Sequence, residues 1–114
     1  MTCLPGIERR GFLSGGRAGP PRFSASVLHN QLVYVAGQIA SDASQDYAGQ
    51  ARQVLHLVEE CLTAAGTSKA QLLKVNVFLR SIDEGADSFN AVWDSWVARD
   101  NLPVGGWVVL HQLL

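Results

Sequence analysis

The chain has 114 residues, of which 47% are hydrophobic and 17% are charged, and its formal net charge is −1. This length predicts one domain with a single core, and the near-zero charge argues against binding to nucleic acid or to anionic lipid. The charged fraction lies below the roughly 25% of ordinary soluble domains, which favours an oligomer that hides part of its surface. No apolar run approaches the roughly 18 residues of a membrane span.

The N-terminal part of the chain predicts an arm followed by a β-hairpin. Residues 1–21 concentrate glycine and proline and predict a flexible arm, in which residues 7–12 are a candidate edge strand. Residues 22–114 are predicted as one domain. Residues 23–28 form a strand, residues 29–31 turn, with Asn30 best able to adopt the left-handed backbone, and residues 32–40 run back. The near-continuous apolarity of this second strand predicts that both of its faces are covered. Gly37 within it indicates either a bulge or close approach by a ligand or subunit, or a simple packing position.

The strongest helix signal follows a polar loop at residues 41–47. Ser44 and Asp46 are both candidate caps, and Gly66 lies where a left-handed C-terminal cap is expected. Between them the apolar positions keep helical spacing: Ala51, Val54, Leu55, Val58, Cys61, Leu62 and Ala65.

A second strand and helix follow. Residues 72–79 alternate between two faces and are predicted to be reached by a crossover connection from the hairpin. A helix then begins either after Ser81 or at residues 87–88 and continues to about residue 99. Trp93 and Trp96 on its apolar stripe are interpreted as core anchors, whereas Asn90 lies at the edge of the stripe, where its amide can face a cleft. Residues 107–114 are predicted as a third strand.

Sequence motifs for known chemistry are lacking. No His/Cys/Asp/Glu cluster has metal-ligand spacing, and no nucleotide-binding loop or pair of catalytic carboxylates is present. His29, His56 and His111 are scattered over different elements. Two cysteines make no disulfide framework, so Cys3 and Cys61 are interpreted as reduced thiols of a cytoplasmic protein. Cys61 on an apolar helix face is expected to have a raised pKa and to be a poor nucleophile.

Several segments together carry a family resemblance. They are FSASV at residues 23–27, VYVAGQIA at 33–40, QARQVL at 50–55, AAG at 64–66, KVNVFL at 74–79 and NAVWDSW at 90–96. In this order they resemble the Rid proteins, the YjgF-like reactive-intermediate deaminases, over about residues 22–103. The resemblance ends abruptly there. We therefore expect divergence from about residue 104, through natural degeneration or through a frame-shifted or truncated end.

The resemblance implies a chorismate-mutase-like α+β fold, with a mixed sheet and two helices on one face. It also implies a homotrimer with ligand clefts between subunits. The archetype is a hydrolase that converts enamines and imines to keto acids and ammonia without a metal or an organic cofactor. Some homologues carry the name endoribonuclease L-PSP.

Carried over residue by residue, the family's ligand-binding positions fall at Phe23, Ala36, Gly37, Asn90 and Gly105. Phe23 replaces a tyrosine and Ala36 replaces a serine, whereas Gly37 and Asn90 are retained. Gly105 replaces the arginine that clamps the substrate carboxylate, a bidentate contact that no neighbouring group supplies. No catalytic residue is therefore assigned.

Two functional hypotheses follow. The first is a trimeric Rid-type protein that acts on imino or keto acids as a weak or inactive deaminase, and the second is a non-catalytic ligand-binding or scaffold trimer that uses the same cleft. RNA cleavage has the least support. If the missing clamp is the only defect, Gly105→Arg is expected to restore activity.

Overall fold

The computed structural model describes residues 6–13 and 18–109. In these residues the elements are, in chain order, β1 Glu8–Leu13, β2 Phe23–His29, β3 Leu32–Val35, α1 Tyr47–Ala64, a 3₁₀ turn Lys69–Gln71, β4 Lys74–Leu79, α2 Ile82–Trp96 and β5 Val104–Val109. Strands β1, β2 and β3 form an antiparallel sheet in that order, and β4 pairs with β5 in parallel. The two helices pack against each other, and each also contacts a strand. The predicted α+β fold is confirmed.

The strands depart from the predicted arrangement in two places. The described strands form two hydrogen-bonded sheets, and the parallel crossover joins β4 to β5 through α2 instead of joining β3 to β4. In addition, β5 begins at Val104, earlier than the predicted residue 107, because Val104 N–H donates to the Leu73 carbonyl at 2.9 Å and starts the ladder. Residues 110–114 of that predicted strand lie outside the described residues.

The β2–β3 hairpin is confirmed. Its turn has positive φ at Asn30 (51°) and at Gln31 (64°), the pattern of a two-residue type I′ turn. Strand β3 is shorter than the predicted residues 32–40. Ala36 N–H still donates to the Ala25 carbonyl at 2.9 Å, but the chain then leaves the sheet. Strand β2 pairs with β3 on one side and with β1 on the other, so β1 is an edge strand, as predicted for residues 7–12.

Helix α1 has the predicted ends. The Asp46 carboxylate accepts a hydrogen bond from Gly49 N–H at 2.8 Å, so Asp46 and not Ser44 is the cap. At the other end Gly66 has φ +84°, and Thr67 N–H donates to the Leu62 carbonyl at 2.9 Å. This is the Schellman motif, in which a left-handed glycine satisfies carbonyls of the last turn.

Helix α2 begins at the first of the two predicted positions. The Ser81 hydroxyl accepts from Glu84 N–H at 3.3 Å. The helix ends at Trp96, before the predicted residue 99, because Val97 turns to an extended conformation and is buried.

The core lies between the helices and one face of each sheet. Strand β4 alternates as predicted, with Leu79 buried and Phe78 exposed. The buried hydrophobic residues are Ala51, Leu55, Leu62, Ala65, Leu79, Phe89 and Val97. The molecule measures 46 × 39 × 20 Å, which corresponds to two layers.

The opposite face of the sheets exposes several large apolar residues, beside Lys74 and Asn76 of β4, and is not covered by any described element. Tyr34 is 59% exposed and Phe78 is 54% exposed, and Phe23, Leu32 and Val104 are also exposed. The expectation that both faces of the second hairpin strand are covered is therefore not met within one chain. Separately, none of the helices in the described ranges is long and apolar enough to cross a membrane.

Candidate ligand-binding cavity

A cavity of about 250 Å³ lies between α2 and the β4–β5 pair, and we call it the Asn90 cavity. Strand β4 presents its inward-facing residues here, α2 presents one side of its third and fourth turns, and the start of β5 closes the end. The lining residues are Val75, Val77, Phe89, Asn90, Trp93, Pro103, Gly105 and Gly106. Two of the five site residues expected from the resemblance, Asn90 and Gly105, are thus brought together.

The chemistry of this cavity is that of an apolar pocket with one amide. None of the eight lining residues has an ionisable side chain. The half-buried Asn90 amide makes no side-chain hydrogen bond within the described part of the chain, so both its donor and its acceptor remain for a ligand. Such a cavity suits a small molecule with a carbonyl or imine group, and it offers no charge to pair with a carboxylate.

The position of Gly105 is restricted by the neighbouring strand. A Cβ built on Gly105 would lie 2.5 Å from the Val75 carbonyl oxygen, whereas one built on Gly106 would meet nothing within 4 Å. Any side chain at position 105 therefore requires a backbone shift. This geometry argues against the expected rescue by Gly105→Arg, since the arginine cannot be added to the strand as it stands.

The other three expected residues do not line the Asn90 cavity. Phe23 begins β2 and is 60% exposed, and Ala36 and Gly37 follow the end of β3. A Cβ at Gly37 would meet nothing within 4 Å, so neither close packing nor close approach within the chain explains this glycine. The Gln38 side-chain amide donates to the Ala36 carbonyl at 3.1 Å.

The loop between β3 and α1 is held by Asp42. Its carboxylate accepts hydrogen bonds from Ser44 and Gln45, and these bonds keep the pKa of Asp42 below its ordinary value. Gln53 of α1 accepts from the Asp42 backbone N–H at 2.9 Å and so ties the loop to the helix. The segment that carries Gly37 thus ends in an ordered loop.

Trp93 is among the cavity-lining residues that the sequence interpretation did not expect there. It is half-buried, stacks on Phe89 with ring centroids 6.0 Å apart, and lines the cavity. It was predicted as a core anchor, and it both packs and faces the cavity. The available signal was its spacing from Asn90, because residues three apart lie on one side of a helix.

The thiol and the imidazoles lie elsewhere. Burial, and secondarily the negative charge of Glu60, raise the pKa of the Cys61 thiol, as predicted. His56 Nε2 lies 3.0 Å from Glu60 Oε1 on the surface of α1, His29 ends β2, and His111 is outside the described residues. Within residues 6–13 and 18–109 no group of three or more His, Cys, Asp or Glu side chains is placed to hold a metal ion.

These features define a class: a two-layer α+β protein with a metabolite-sized cavity between a helix and a sheet. The family model described as Endoribonuclease L-PSP matches residues 18–113. The chain therefore belongs to this family, which is also called the YjgF or RutC family. The match extends beyond residue 103, where the resemblance was expected to end, and includes β5.

Individual relatives agree with this assignment. A RutC family protein of Haemophilus ducreyi is 35% identical over 82 residues, 72% of this chain and 69% of the relative. A second, from Haemophilus influenzae, is 34% identical over 83 residues and covers 72% and 71%. Among solved structures, a YjgF-family protein of Neisseria meningitidis superposes with a TM-score of 0.80 at 27% identity, over 93% of this chain and 82% of that one.

Proposed function

We propose that this protein binds a small metabolite of the imino- or keto-acid class in a cleft that includes the Asn90 cavity, and that it does so with little or no hydrolysis. The absence of an ionisable side chain among the lining residues carries the proposal. Hydrolysis of an imine needs a group that transfers protons, and firm orientation of its carboxylate needs a cation. The Asn90 amide can donate a hydrogen bond to the ligand's carbonyl oxygen or imine nitrogen, and its oxygen can accept one from an N–H group.

We further propose that the cleft is completed in a homotrimer. The exposed apolar residues on the open face of the sheets, Tyr34 and Phe78 among them, support association, since exposed apolar surface commonly marks interfaces. Phe23, Ala36 and Gly37 lie apart from the cavity within one chain, and a neighbouring subunit can bring its copies of them to the cleft. The resemblance to Rid proteins implies the same assembly. The proposal places the protein in the cytoplasm, consistent with Cys61 as a free thiol.

The second candidate function is that of an enamine or imine deaminase. Family membership supports it, together with Asn90 and Gly37, the two positions at which the family's residues are retained. In this mechanism the Asn90 amide and nearby backbone groups alone would position the attacking water.

Two measurements on the purified protein distinguish these functions. For activity, 2-iminobutanoate is generated in situ and the release of keto acid is compared with and without protein. For binding, 2-oxobutanoate is titrated in a calorimeter. Binding without acceleration of keto-acid release is the expected result.

Asn90→Ala is the matched variant for both measurements. Loss of the amide should weaken the binding of 2-oxobutanoate, because it removes the only side-chain amide of the cavity. If the wild-type protein accelerates hydrolysis and Asn90→Ala does not, the deaminase is the correct function. If the protein neither binds the keto acid nor accelerates hydrolysis, both candidates are wrong.

A further inference from the structure

A second cavity, of about 230 Å³, lies in the helix layer and shares no residue with the Asn90 cavity. We call it the helix-layer cavity. Its walls are α1, α2 and the turn at Lys69–Gln71, with no contribution from a described strand. The lining residues are Arg52, Leu55, His56, Glu59, Lys69, Val92, Ser95 and Trp96.

Helical spacing creates this cavity. Arg52, His56 and Glu59 lie at i, i+4 and i+7 on one side of α1, and Val92 and Trp96 lie one turn apart on α2. Between these rows the floor is apolar, with Leu55 buried and Trp96 half-buried. The cavity therefore combines a hydrophobic floor with a charged rim.

Most of the polar groups on this rim already have partners. Glu59 accepts a hydrogen bond from Trp96 Nε1 at 2.9 Å, which fixes the indole ring. Lys69 Nζ lies 3.9 Å from the Glu59 carboxylate and 5.3 Å from the centroid of the Trp96 ring. His56 pairs with Glu60, and the Ser95 hydroxyl donates to the Val92 carbonyl.

Arg52 is the exception. Its guanidinium makes no hydrogen bond or ion pair with any residue that the structure describes. Among the lining residues Lys69 is partly neutralised by Glu59, so Arg52 is the cation of the lining without a partner there, while the Glu60 carboxylate lies outside the lining against His56. A guanidinium is a planar donor fork whose geometry matches a carboxylate.

We propose that the helix-layer cavity is a second ligand site and that it binds a small organic carboxylate with a short aromatic or apolar body. Arg52 pairs with the carboxylate, and the body lies on Leu55, Val92 and the Trp96 ring. The volume fits this class, since it corresponds to roughly eight water molecules and is smaller than the roughly 300 Å³ at which sites for drug-sized ligands begin. The inference does not depend on the function proposed for the Asn90 cavity.

Phenylacetate is a suitable probe, and phenylacetamide is its uncharged counterpart. Each is titrated into the ¹⁵N-labelled full chain while the indole N–H signals are followed by NMR, with the signals assigned from Trp93→Phe and Trp96→Phe. We expect phenylacetate to shift the Trp96 signal in a saturable manner and phenylacetamide to leave it in place.

Arg52→Gln should weaken phenylacetate binding by about tenfold or more, because a charge-assisted pair is lost. Arg80→Gln is the matched control, since Arg80 is an exposed arginine that lines neither cavity and its loss should not change the affinity. Asn90→Ala should also leave the Trp96 response intact, which separates this site from the Asn90 cavity.

Three outcomes would overturn the proposal. They are a Trp96 signal that phenylacetate does not move, equal affinities in wild type and Arg52→Gln, and an equal response to phenylacetamide. Because Arg52 is exposed and makes no contact that the fold requires, Arg52→Gln should give the wild-type backbone spectrum, and this spectrum checks that the variant is folded.

Discussion

At the scale of single residues, the chemistry of the Asn90 cavity depends on Gly105, because the backbone there leaves no room for a side chain. The Val75 carbonyl lies where a Cβ at position 105 would have to be, so the strand pair is built around a glycine. An arginine clamp therefore cannot be restored by one substitution. In the proposed function, the ligand is therefore recognised through Asn90 and backbone groups.

Gly105→Arg should lower the free energy of unfolding by about 1–3 kcal/mol, the usual cost of forcing extra atoms into a packed position. It should not produce imine hydrolysis. Gly106→Arg is the control, because a Cβ there meets nothing within 4 Å, and its loss of stability should be clearly smaller. Urea titrations at matched protein concentration measure both. Equal stability of the two variants, or activity in Gly105→Arg, would contradict this account of the strand.

Cys61 should react slowly with alkylating agents. Burial removes water that would solvate the thiolate, and the carboxylate of Glu60 repels it, so both effects raise the pKa of the thiol. The folded state therefore holds the thiol proton more tightly than the unfolded state does. The stability of the fold is unaffected by this group at neutral pH and falls as the pH rises above the ordinary thiol pKa, because the unfolded state then loses the proton first. Iodoacetamide rates measured against pH in a Cys3→Ser background should show a midpoint above that of an unstructured cysteine peptide. A midpoint equal to that of the peptide would refute the shift.

At the scale of elements, the ends of the helices illustrate what local sequence determines. Asp46, Gly66 and Ser81 act within one helical turn of themselves, so their roles as caps were predictable from the chain. The ends of β3 and α2 were not predictable, because tertiary structure determines them. Strand β3 ends at Val35 because the following loop leaves the sheet, and α2 ends at Trp96 because Val97 is buried in an extended conformation. Neither helix propensity nor the alternation of apolar residues predicts where the loop leaves the sheet or that Val97 is buried.

The same distinction applies to the cavity. Asn90 was predictable as a cleft-facing amide from its place at the edge of the apolar stripe, and Gly105 from its place after Pro103 in the family resemblance. The contact between Gly105 and Val75, and the exposure of Trp93 to the cavity, depend on which strands pair. Pairing over that sequence distance cannot be read from either segment alone.

Removal of the α1 cap should be measurable. Asp46→Ala is expected to cost about 1 kcal/mol of stability, because Gly49 N–H loses its acceptor. Asp46→Asn keeps an oxygen at the same place and should cost much less. Thermal unfolding followed by circular dichroism tests the pair. If both variants lose the same amount, the negative charge and not the hydrogen bond is responsible.

The contact between the helices predicts that Gly85→Ala changes stability in opposite directions in the wild-type protein and in a Tyr47→Leu variant. A Cβ at Gly85 would lie 2.5 Å from Tyr47 ring carbons, so Gly85→Ala should destabilise the protein by about 1 kcal/mol despite the better helix propensity of alanine. In a Tyr47→Leu background, with the ring removed, the same change should become stabilising. A double-mutant cycle with denaturant melts measures the coupling. Additive effects would show that Tyr47 is not the obstacle.

At the scale of the whole molecule, the chain is two layers thick, and one face of the sheets is not covered by any described element. On this face Tyr34 of the antiparallel sheet and Phe78 and Val104 of the parallel pair are exposed, beside the polar residues Lys74 and Asn76 of β4. The proposed trimer gives this face a place to be buried. It also explains how Phe23 and Gly37 of one chain can meet Asn90 of another.

Sedimentation equilibrium of the wild-type protein should give the mass of three chains. Phe78→Glu should shift the population towards monomers, because a carboxylate on the buried face is costly to desolvate. Ala91→Glu adds the same charge at an exposed position on α2 and should leave the trimer intact. A wild-type monomer would remove the basis for an intersubunit cleft, and a trimer that tolerates Phe78→Glu would move the interface to another surface.

If the proposed trimer buries the uncovered sheet face, the stability of the protein depends on its concentration. Where association buries surface that folding alone leaves in water, the unfolding midpoint rises with the logarithm of chain concentration. A freshly diluted sample and a concentrated one then contain different populations, and exchange of subunits between them takes place on the timescale of dissociation. For this chain, the persistence of a complete ligand cleft would depend on how many copies the cell maintains.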